Sequence, residues 1–166
     1  EAVMGSNPSS ASDCGDDCPV ERVSWEDSIA FANALSVLDG LDPVYTGSSD
    51  VSWDRTANGY RLLTEGEWEY AARADDGTTY AGSNVASEVA WTNDNAGATQ
   101  PVASLLPNAY GLYDMSGNVF EWCWDWHSTD YYSSSPSINP AGPDGPLVDH
   151  VERGGAYNYG TEHARV

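Results

Sequence analysis

The clearest pattern of apolar and polar positions along the chain is a strict alternation over residues 119–126. One alternate set holds four large aromatic side chains, Phe120, Trp122, Trp124 and Trp126. The other set holds Val119, Glu121, Cys123 and Asp125. Because successive side chains of a strand point to opposite faces, this alternation predicts a strand whose aromatic face is buried near the centre of a core.

Two segments have the spacing of short amphipathic helices, and a capping residue precedes each of them. Ser24 stands before apolar positions that recur three or four residues apart, which predicts a helix over about 25–36. Thr64 is followed three residues later by Glu67, the spacing of a capping box, and this predicts a second helix.

The remaining segments contain only short apolar runs. Residues 45–53 predict a hairpin around a turn at 47–50, and residues 151–157 predict a strand with a close backbone approach at Gly154 and Gly155. Long stretches rich in Gly, Asn, Ser and Pro indicate irregular structure that covers a core. The 166 residues suffice for one domain of the α+β class with a large share of ordered loop.

The composition adds a strong negative charge. The formal net charge is −20, with 26 acidic residues against six basic ones, all of them arginine. This charge argues against nucleic acids and anionic membranes as partners. It suits cations, basic partners or a high-salt habitat, and it would also serve solubility alone. No apolar run approaches the roughly 20 residues that span a bilayer, and no signal peptide is present, so we expect no membrane insertion in this stretch.

The three cysteines divide into a close pair and a single residue. Cys14 and Cys18 frame a short Gly-containing turn, and the two acids between them raise thiol pKa values, which argues against a reactive thiolate. A local disulfide is the favoured interpretation and would indicate an oxidising compartment. Free thiols and a zinc half-site remain open, although no second ligand pair follows. Cys123 is expected to be a small buried residue.

Three segments resemble the formylglycine-generating enzyme, or sulfatase-modifying factor, family. They are residues 61–73 (RLLTEGEWEYAAR), 107–122 (PNAYGLYDMSGNVFEW) and 153–157 (RGGAY). The resemblance covers most of the chain and lacks the family's opening and closing parts, so we expect a single domain over residues 1–166 that is truncated at both ends. It implies a C-type-lectin-like fold with a small twisted antiparallel sheet, two short helices and long ordered loops.

The resemblance also implies a structural Ca²⁺ ion at the polar turn before the aromatic strand. The ligands would be the side chains of Asp114 and Glu121 and the backbone carbonyls of Gly117 and Val119. Such an all-oxygen set suits Ca²⁺ and not zinc or copper. The alternative is that the two carboxylates are merely solvated. A second calcium site of the family is not carried over, because the loop at residues 93–97 is shorter here.

The resemblance fails at the family's catalytic positions. Its oxidase holds copper and the substrate thiol with two cysteines, and the matching positions here are Tyr159 and Ala164. Neither side chain can hold Cu(I), which needs soft thiolates. In addition, Phe120 replaces the family's active-site Trp and Ala156 replaces its Ser. We therefore expect no catalytic residues and no copper.

These expectations favour a non-catalytic, calcium-stabilised binding or scaffold domain that is extracytoplasmic, whether periplasmic, secreted or surface-attached. Its protein or small-molecule ligand is not identified. Exposed tyrosine and asparagine make versatile contacts, and the candidates for a ligand surface are Tyr131, Tyr132, Tyr157, Asn158 and Tyr159. An equally good interpretation is that the tyrosines cover the core.

Two enzymatic alternatives remain. The first is an active oxidase that converts a sulfatase cysteine to formylglycine. The second is an iron-dependent sulfoxide synthase similar to those of the ergothioneine pathway, which needs a His-rich partner domain. His127, His150 and His163 form no ligand pattern in the sequence, and we expect each of them on the surface.

Overall fold

A computed structural model of the protein describes residues 2–11, 14–48 and 50–166. The helices are α1 (Trp25–Leu38), α2 (Glu65–Arg73) and α3 (Ala86–Val89). The strands are β1 (Tyr45–Thr46), β2 (Ser52–Trp53), β3 (Ala90–Trp91), β4 (Ser116–Gly117), β5 (Glu121–Trp126) and β6 (His150–Arg153). Three 3-10 turns lie at Gly15–Asp17, Tyr131–Ser133 and Thr161–Ala164. The predicted turn at residues 47–50 includes Ser49, which lies outside the described residues.

The strands pair in three two-stranded ladders within the described part of the chain. β1 with β2 and β5 with β6 are antiparallel, as expected for this fold. β3 and β4 pair in parallel, which the sequence patterns did not indicate. Long ordered loops connect these elements, so the α+β class with short strands and few helices is confirmed.

Both long helices begin where the sequence predicted, because a reciprocal capping box forms at each N-terminus. The Ser24 hydroxyl accepts a hydrogen bond from the Asp27 backbone N–H at 3.0 Å, and the Asp27 carboxylate accepts one from Ser24 N–H at 3.0 Å. Thr64 and Glu67 repeat the arrangement at α2. The first helix runs to Leu38, two residues beyond the predicted end.

The two faces of β5 pack against different helices. The face of Cys123 meets a cluster on α2, whose buried residues include Trp68, Ala72, Met115 and Val151. The aromatic face meets a cluster on α1, whose buried residues are Trp25, Ile29, Ala32, Val44 and Tyr45. The strand therefore lies between two cores, and neither of its faces is wholly free.

The predicted depth of the aromatic face is corrected by this packing. Trp122, Trp124 and Trp126 are only half-buried, whereas Cys123 is 0% exposed and Asp125 is 3% exposed. The indoles are too large to be covered entirely by α1 and the β1–β2 hairpin. The smaller side chains of the other face fit completely beneath α2.

The segment after β6 returns to the turn before β5. The predicted strand over 151–157 ends at Arg153, and two glycines follow at φ +89° and +75°. The Gly154 carbonyl accepts a hydrogen bond from Gly117 N–H at 2.7 Å, and Tyr157 N–H donates to the Asn118 carbonyl at 2.9 Å. These bonds fix the polar turn against the final described segment.

None of the helices within the described ranges combines the length and apolarity that crossing a membrane requires.

Candidate functional site

The polar turn before β5 has an unusual backbone. Asp114, Gly117 and Asn118 have φ values of 57°, 79° and 63°, all in the left-handed region. A Cβ atom on Gly117 would lie 2.3 Å from the Trp91 carbonyl oxygen of the neighbouring strand, so only glycine fits there. The chain can therefore reverse tightly and present several groups to the same side.

Asn118 holds the turn in place from within. Its side chain is 1% exposed. Its amide oxygen accepts a hydrogen bond from Gln100 N–H at 3.1 Å, and its amide nitrogen donates to the Gln100 carbonyl at 3.1 Å. A buried amide that is bonded at both ends gives the turn a single conformation.

This turn forms one wall of a pocket of about 310 Å³. Three of the four predicted calcium ligands, Asp114, Val119 and Glu121, line it together. The fourth, Gly117, lies in β4 against Trp91 and is not among the residues that line this pocket in the described part of the chain. The remaining lining residues are Pro19, Val102, Ala103, Tyr113 and Asn118.

Each of the two carboxylates in the pocket already accepts one hydrogen bond. Asp114 Oδ2 accepts from Ala103 N–H at 2.7 Å, and Glu121 Oε2 accepts from Trp68 Nε1–H at 2.6 Å. Burial raises the pKa of Glu121 to about 6, against the opposing effect of the Trp68 hydrogen bond, and the charge of Asp114 raises it further. The two negative charges thus destabilise each other in a partly desolvated space.

A bound cation would relieve this repulsion. The carboxylates of Asp114 and Glu121, which line the pocket, would suit a hard ion such as Ca²⁺. Within the described ranges, no three His, Cys, Asp or Glu side chains cluster closely enough to hold a metal by themselves. A cation here would therefore need backbone carbonyls besides the two carboxylates, and of the two predicted carbonyl ligands Val119 lines the pocket and Gly117 does not.

A second buried carboxylate, Asp125, was not predicted to have a role. Asp125 Oδ2 accepts a hydrogen bond from Glu65 N–H at the first turn of α2, at 2.8 Å. Burial raises the pKa of Asp125 to about 6. The sequence did contain a signal for Asp125. It alternates with the tryptophans along the strand, and a charged residue on a covered face needs a partner.

Arg153 organises the acidic residues near Asp125. Its guanidinium lies 3.7 Å from the Glu65 carboxylate and 3.1 Å from that of Glu69, and it stacks 5.0 Å from the centre of the Trp68 ring. The Tyr132 hydroxyl donates a hydrogen bond to the same Glu65 carboxylate. This network joins α2 to β5 and β6 around a group of charges that could not be assembled from sequence spacing.

The family described as "Sulfatase-modifying factor enzyme 1-like domain", FGE-sulfatase, matches residues 1–166. The chain belongs to this family. It is 42% identical over 163 residues to the chaperone protein LppX of Paenibacillus barcinonensis, a match that covers 76% of this chain and 58% of that protein. It is 37% identical over 155 residues to the formylglycine-generating enzyme of Streptomyces coelicolor, covering 84% of this chain and 42% of the enzyme.

Among solved structures, Treponema denticola variable protein 1 superimposes with a TM-score of 0.89 at 33% identity. That match covers 99% of this chain and 71% of the other. The FGE-sulfatase fold is therefore shown. The chain spans 58% and 42% of the two curated relatives above, so their activities as whole proteins do not transfer to it directly.

Tyr159 and Ala164, the two positions predicted to match the family's thiols, lie before and within the 3-10 turn Thr161–Ala164. The Tyr159 ring makes edge contacts with Phe120 at 5.0 Å and with His163 at 5.1 Å between ring centres. Ala164 is 1% exposed, and its carbonyl accepts a hydrogen bond from the Ser116 hydroxyl at 2.8 Å. Aromatic and methyl groups therefore occupy this location.

The three cysteines of the chain lie elsewhere. Cys14 and Cys18 are joined by a disulfide bond. Cys123 is a buried free cysteine, and burial raises the pKa of its thiol well above its ordinary value. A thiolate at Cys123 is therefore strongly disfavoured at neutral pH.

The five candidate surface residues form two groups with different neighbours. Tyr132 is 65% exposed, and its ring packs edge-on against that of Tyr131, near α2. Asn158 is exposed and Tyr159 is 42% exposed, with Tyr157 half-buried beside them near Phe120. The second group therefore includes Tyr159, one of the two positions predicted to match the family's thiols, and the ring contacts of the first group are separate from those of the second.

One of the histidines expected on the surface is not there. The His150 ring is stacked between Trp25 and Trp126, with centroid distances of 3.7 and 3.6 Å. Burial lowers the pKa of His150, so it is neutral at pH 7. His127 and His163 are exposed, as predicted.

Proposed function

We propose that this chain is a non-catalytic binding domain of the FGE-sulfatase family. The observation that carries the proposal is the presence of Tyr159 and Ala164 where the family's oxidase needs two thiols. Cu(I) bound by a protein requires soft sulfur ligands. A phenol and a methyl group supply none.

The thiols elsewhere in the chain do not replace the missing pair. Cys123 is 0% exposed and packs in the α2 core, and Cys14 and Cys18 are already bonded to each other. Forming a mixed disulfide with a substrate needs an accessible thiolate. This supports a domain that binds without oxidising.

The binding surface in this proposal is the group of Tyr157, Asn158 and Tyr159. Backbone bonds fix this segment at both ends, because Tyr157 N–H donates to Asn118 and the Tyr159 carbonyl accepts from Asn93 N–H at 3.0 Å. Side chains can therefore change there without loss of the fold. Likeness to a protein named for variability and to one named as a chaperone supports a role in recognition.

The proposal includes a structural Ca²⁺ ion at the pocket before β5. Asp114 and Glu121 would supply carboxylate oxygens and Val119 a backbone carbonyl. The carbonyl predicted for Gly117 belongs to the same turn but lies outside the residues that line the pocket. The ion would neutralise the repulsion between the two carboxylates. It would also hold the turn that contains Asn118, to which the binding segment is hydrogen-bonded. The role of the ion here would be structural and not catalytic.

The proposal also locates the domain outside the cytoplasm. The support is the Cys14–Cys18 disulfide, because such bonds persist in oxidising compartments and are rare in reducing ones. An acidic surface free of lysine is compatible with that location.

An oxidase assay tests the central claim. The protein would be incubated with Cu(I), oxygen and a cysteine-containing sulfatase peptide, and formylglycine would be sought by mass spectrometry. We expect no conversion above the blank, while a formylglycine-generating enzyme assayed alongside converts the peptide. Conversion by this chain would overturn the proposal, and Cys123→Ser would then show whether Cys123 supplies the thiol.

A further inference from the structure

A second cleft opens on the aromatic face of β5. Its volume is about 350 Å³, and it shares no lining residue with the pocket at Asp114 and Glu121. Its aromatic wall consists of Trp25, Trp53, Trp124, Trp126 and His150. Its remaining wall comes from Glu26 of α1, from the β1–β2 hairpin and Arg55 that follows it, and from the loop at residues 141–146.

The aromatic rings of this wall hold one another in position. His150 is stacked between Trp25 and Trp126, with ring planes inclined by 8° and 25°. Trp124 stacks on Tyr45 at 5.3 Å and 9° and meets Trp53 edge-on at 5.4 Å. The wall therefore exists before any ligand arrives, which reduces the entropy cost of binding.

The charged residues of the cleft are mostly acidic. Glu26, Asp50 and Asp144 line it, and Arg55 is the one basic residue among its lining residues in the described part of the chain. His150 adds no charge at neutral pH, since burial lowers its pKa. The cleft therefore has a net negative charge in a protein whose own formal charge is −20, and it will attract cations over a distance.

Arg55 shows what chemistry this wall accepts. Its guanidinium carbon lies 4.4 Å from the centre of the Trp53 ring, within the range of a cation–π contact. Arg55 is exposed and lies in the loop that follows β2. The cleft thus already contains a cation from its own chain, held on an indole at the edge of the cavity.

We propose that this cleft binds a small organic cation, an ammonium or guanidinium group with an apolar attachment. The tryptophan rings would contact the apolar groups and the cationic charge, and the carboxylates of Glu26, Asp50 and Asp144 would offset that charge. The volume suits a group of the size of a quaternary ammonium compound. This proposal goes beyond the binding segment at residues 157–159 and does not depend on it.

Choline and its neutral isostere 3,3-dimethylbutan-1-ol provide the first test. They have nearly the same shape and differ in charge. Binding would be measured by calorimetry and by changes in the indole N–H signals in NMR. We expect choline to bind at least roughly tenfold more tightly than the isostere. No binding of choline, equal binding of both compounds, or tighter binding of a neutral sugar would overturn the proposal.

Replacement of Arg55 tests the proposal by whether the affinity for choline rises or falls. Arg55→Ala removes a competing cation from the wall, so we expect choline affinity to rise roughly two- to fivefold. The control is Arg22→Ala, which changes the net charge equally at an exposed residue outside the cleft. A loss of affinity in Arg55→Ala would show that the cleft uses its arginine to bind an anion or a hydroxyl, and the proposal would be wrong.

The carboxylates are tested with a double variant that keeps their shapes. Glu26→Gln with Asp144→Asn should weaken choline binding roughly three- to tenfold and leave the isostere unchanged. The matched control, Asp42→Asn with Glu162→Gln, removes two exposed charges outside the cleft. An equal loss in both double variants would attribute the effect to the overall charge and would contradict a specific site.

Discussion

The two faces of β5 differ in a way that their composition does not suggest. The face of Glu121, Cys123 and Asp125 carries two acids, yet it is the more deeply buried of the two. The face of Trp122, Trp124 and Trp126 is wholly aromatic, yet it is only half-buried and opens into a cleft. Polar groups are thus covered by α2, while large apolar rings reach solvent.

The difference between the two faces lies in the elements that pack against each of them. Small or hydrogen-bonded side chains fit beneath α2, where Trp68 donates to Glu121 and the Glu65 backbone donates to Asp125. The three indoles of the other face are not all covered by one helix and a four-residue hairpin ladder. The covered face therefore holds titrating groups of perturbed pKa, and the open face provides a surface for recognition.

The largest expected effect on stability comes from the replacement of Trp68, and it tests the comparison of the two faces. Trp68 is 2% exposed and packs against Cys123, so Trp68→Ala should lower the free energy of unfolding by about 4 kcal/mol. Trp126→Ala, on the open face, should cost about half as much, because part of its surface is already hydrated. Denaturant titration measures both. Equal losses would mean that the two faces are equally important to the core.

The next effect comes from the proposed calcium ion. At a calcium concentration about a hundredfold above Kd, the ion should stabilise the fold by about 2.7 kcal/mol, which raises the melting temperature by roughly 5–10 °C over a chelated sample. Glu121→Gln should gain nothing from calcium and should melt no lower than the chelated wild type, because it removes the repulsion with Asp114.

A control variant makes the calcium result specific. Asp42→Asn removes an exposed carboxylate outside the pocket and should respond to calcium as the wild type does. A wild-type melting temperature that is indifferent to the chelator would remove the calcium site from the proposal.

The smallest effect concerns Asp125 and pH. Its folded pKa is raised from 3.8 to about 6, so the neutral acid is favoured in the folded state. The folding stability that the neutral Asp125 contributes is present below about pH 4, and it is lost as the pH rises through about 6. After allowance for solvent screening, the loss should be on the order of 2 kcal/mol.

Asp125→Asn isolates this contribution in calcium-free buffer. Its amide oxygen can still accept the hydrogen bond from Glu65 N–H, and it does not titrate. The stability difference between wild type and variant should therefore change across pH 4–7 in the direction just given. A difference that stays constant over this range would show that Asp125 is not buried as the structure has it.

Much of the fold could be predicted from local sequence. The capping boxes at Ser24 and Thr64 depend on residues three positions apart, so their outcome is decided within one helical turn. The hairpin at residues 45–53 and the strand at 121–126 follow from short patterns in the same way. The grouping of Asp114, Val119 and Glu121 was predicted from the family resemblance, and it is local because the three lie in one turn and the start of one strand.

The rest depended on contacts between distant segments. The aromatic cleft joins Trp25, Trp53, Trp126 and His150, which lie on four separate elements of the chain. His150 was expected on the surface, and only the pairing of β6 with β5 inserts it between two indoles. The Arg153 network joins β6 to α2 in the same manner.

The sequence by itself determined where the two long helices begin, which strand residues share a face, and that Tyr159 and Ala164 stand at the two positions where the family resemblance led us to look for thiols. These properties depend on neighbours within a few positions or on the identity of single residues. Only the tertiary structure decided which face of β5 is closed and which is open. Burial is set by the sizes of the elements that pack on each side, and no local pattern contains that information.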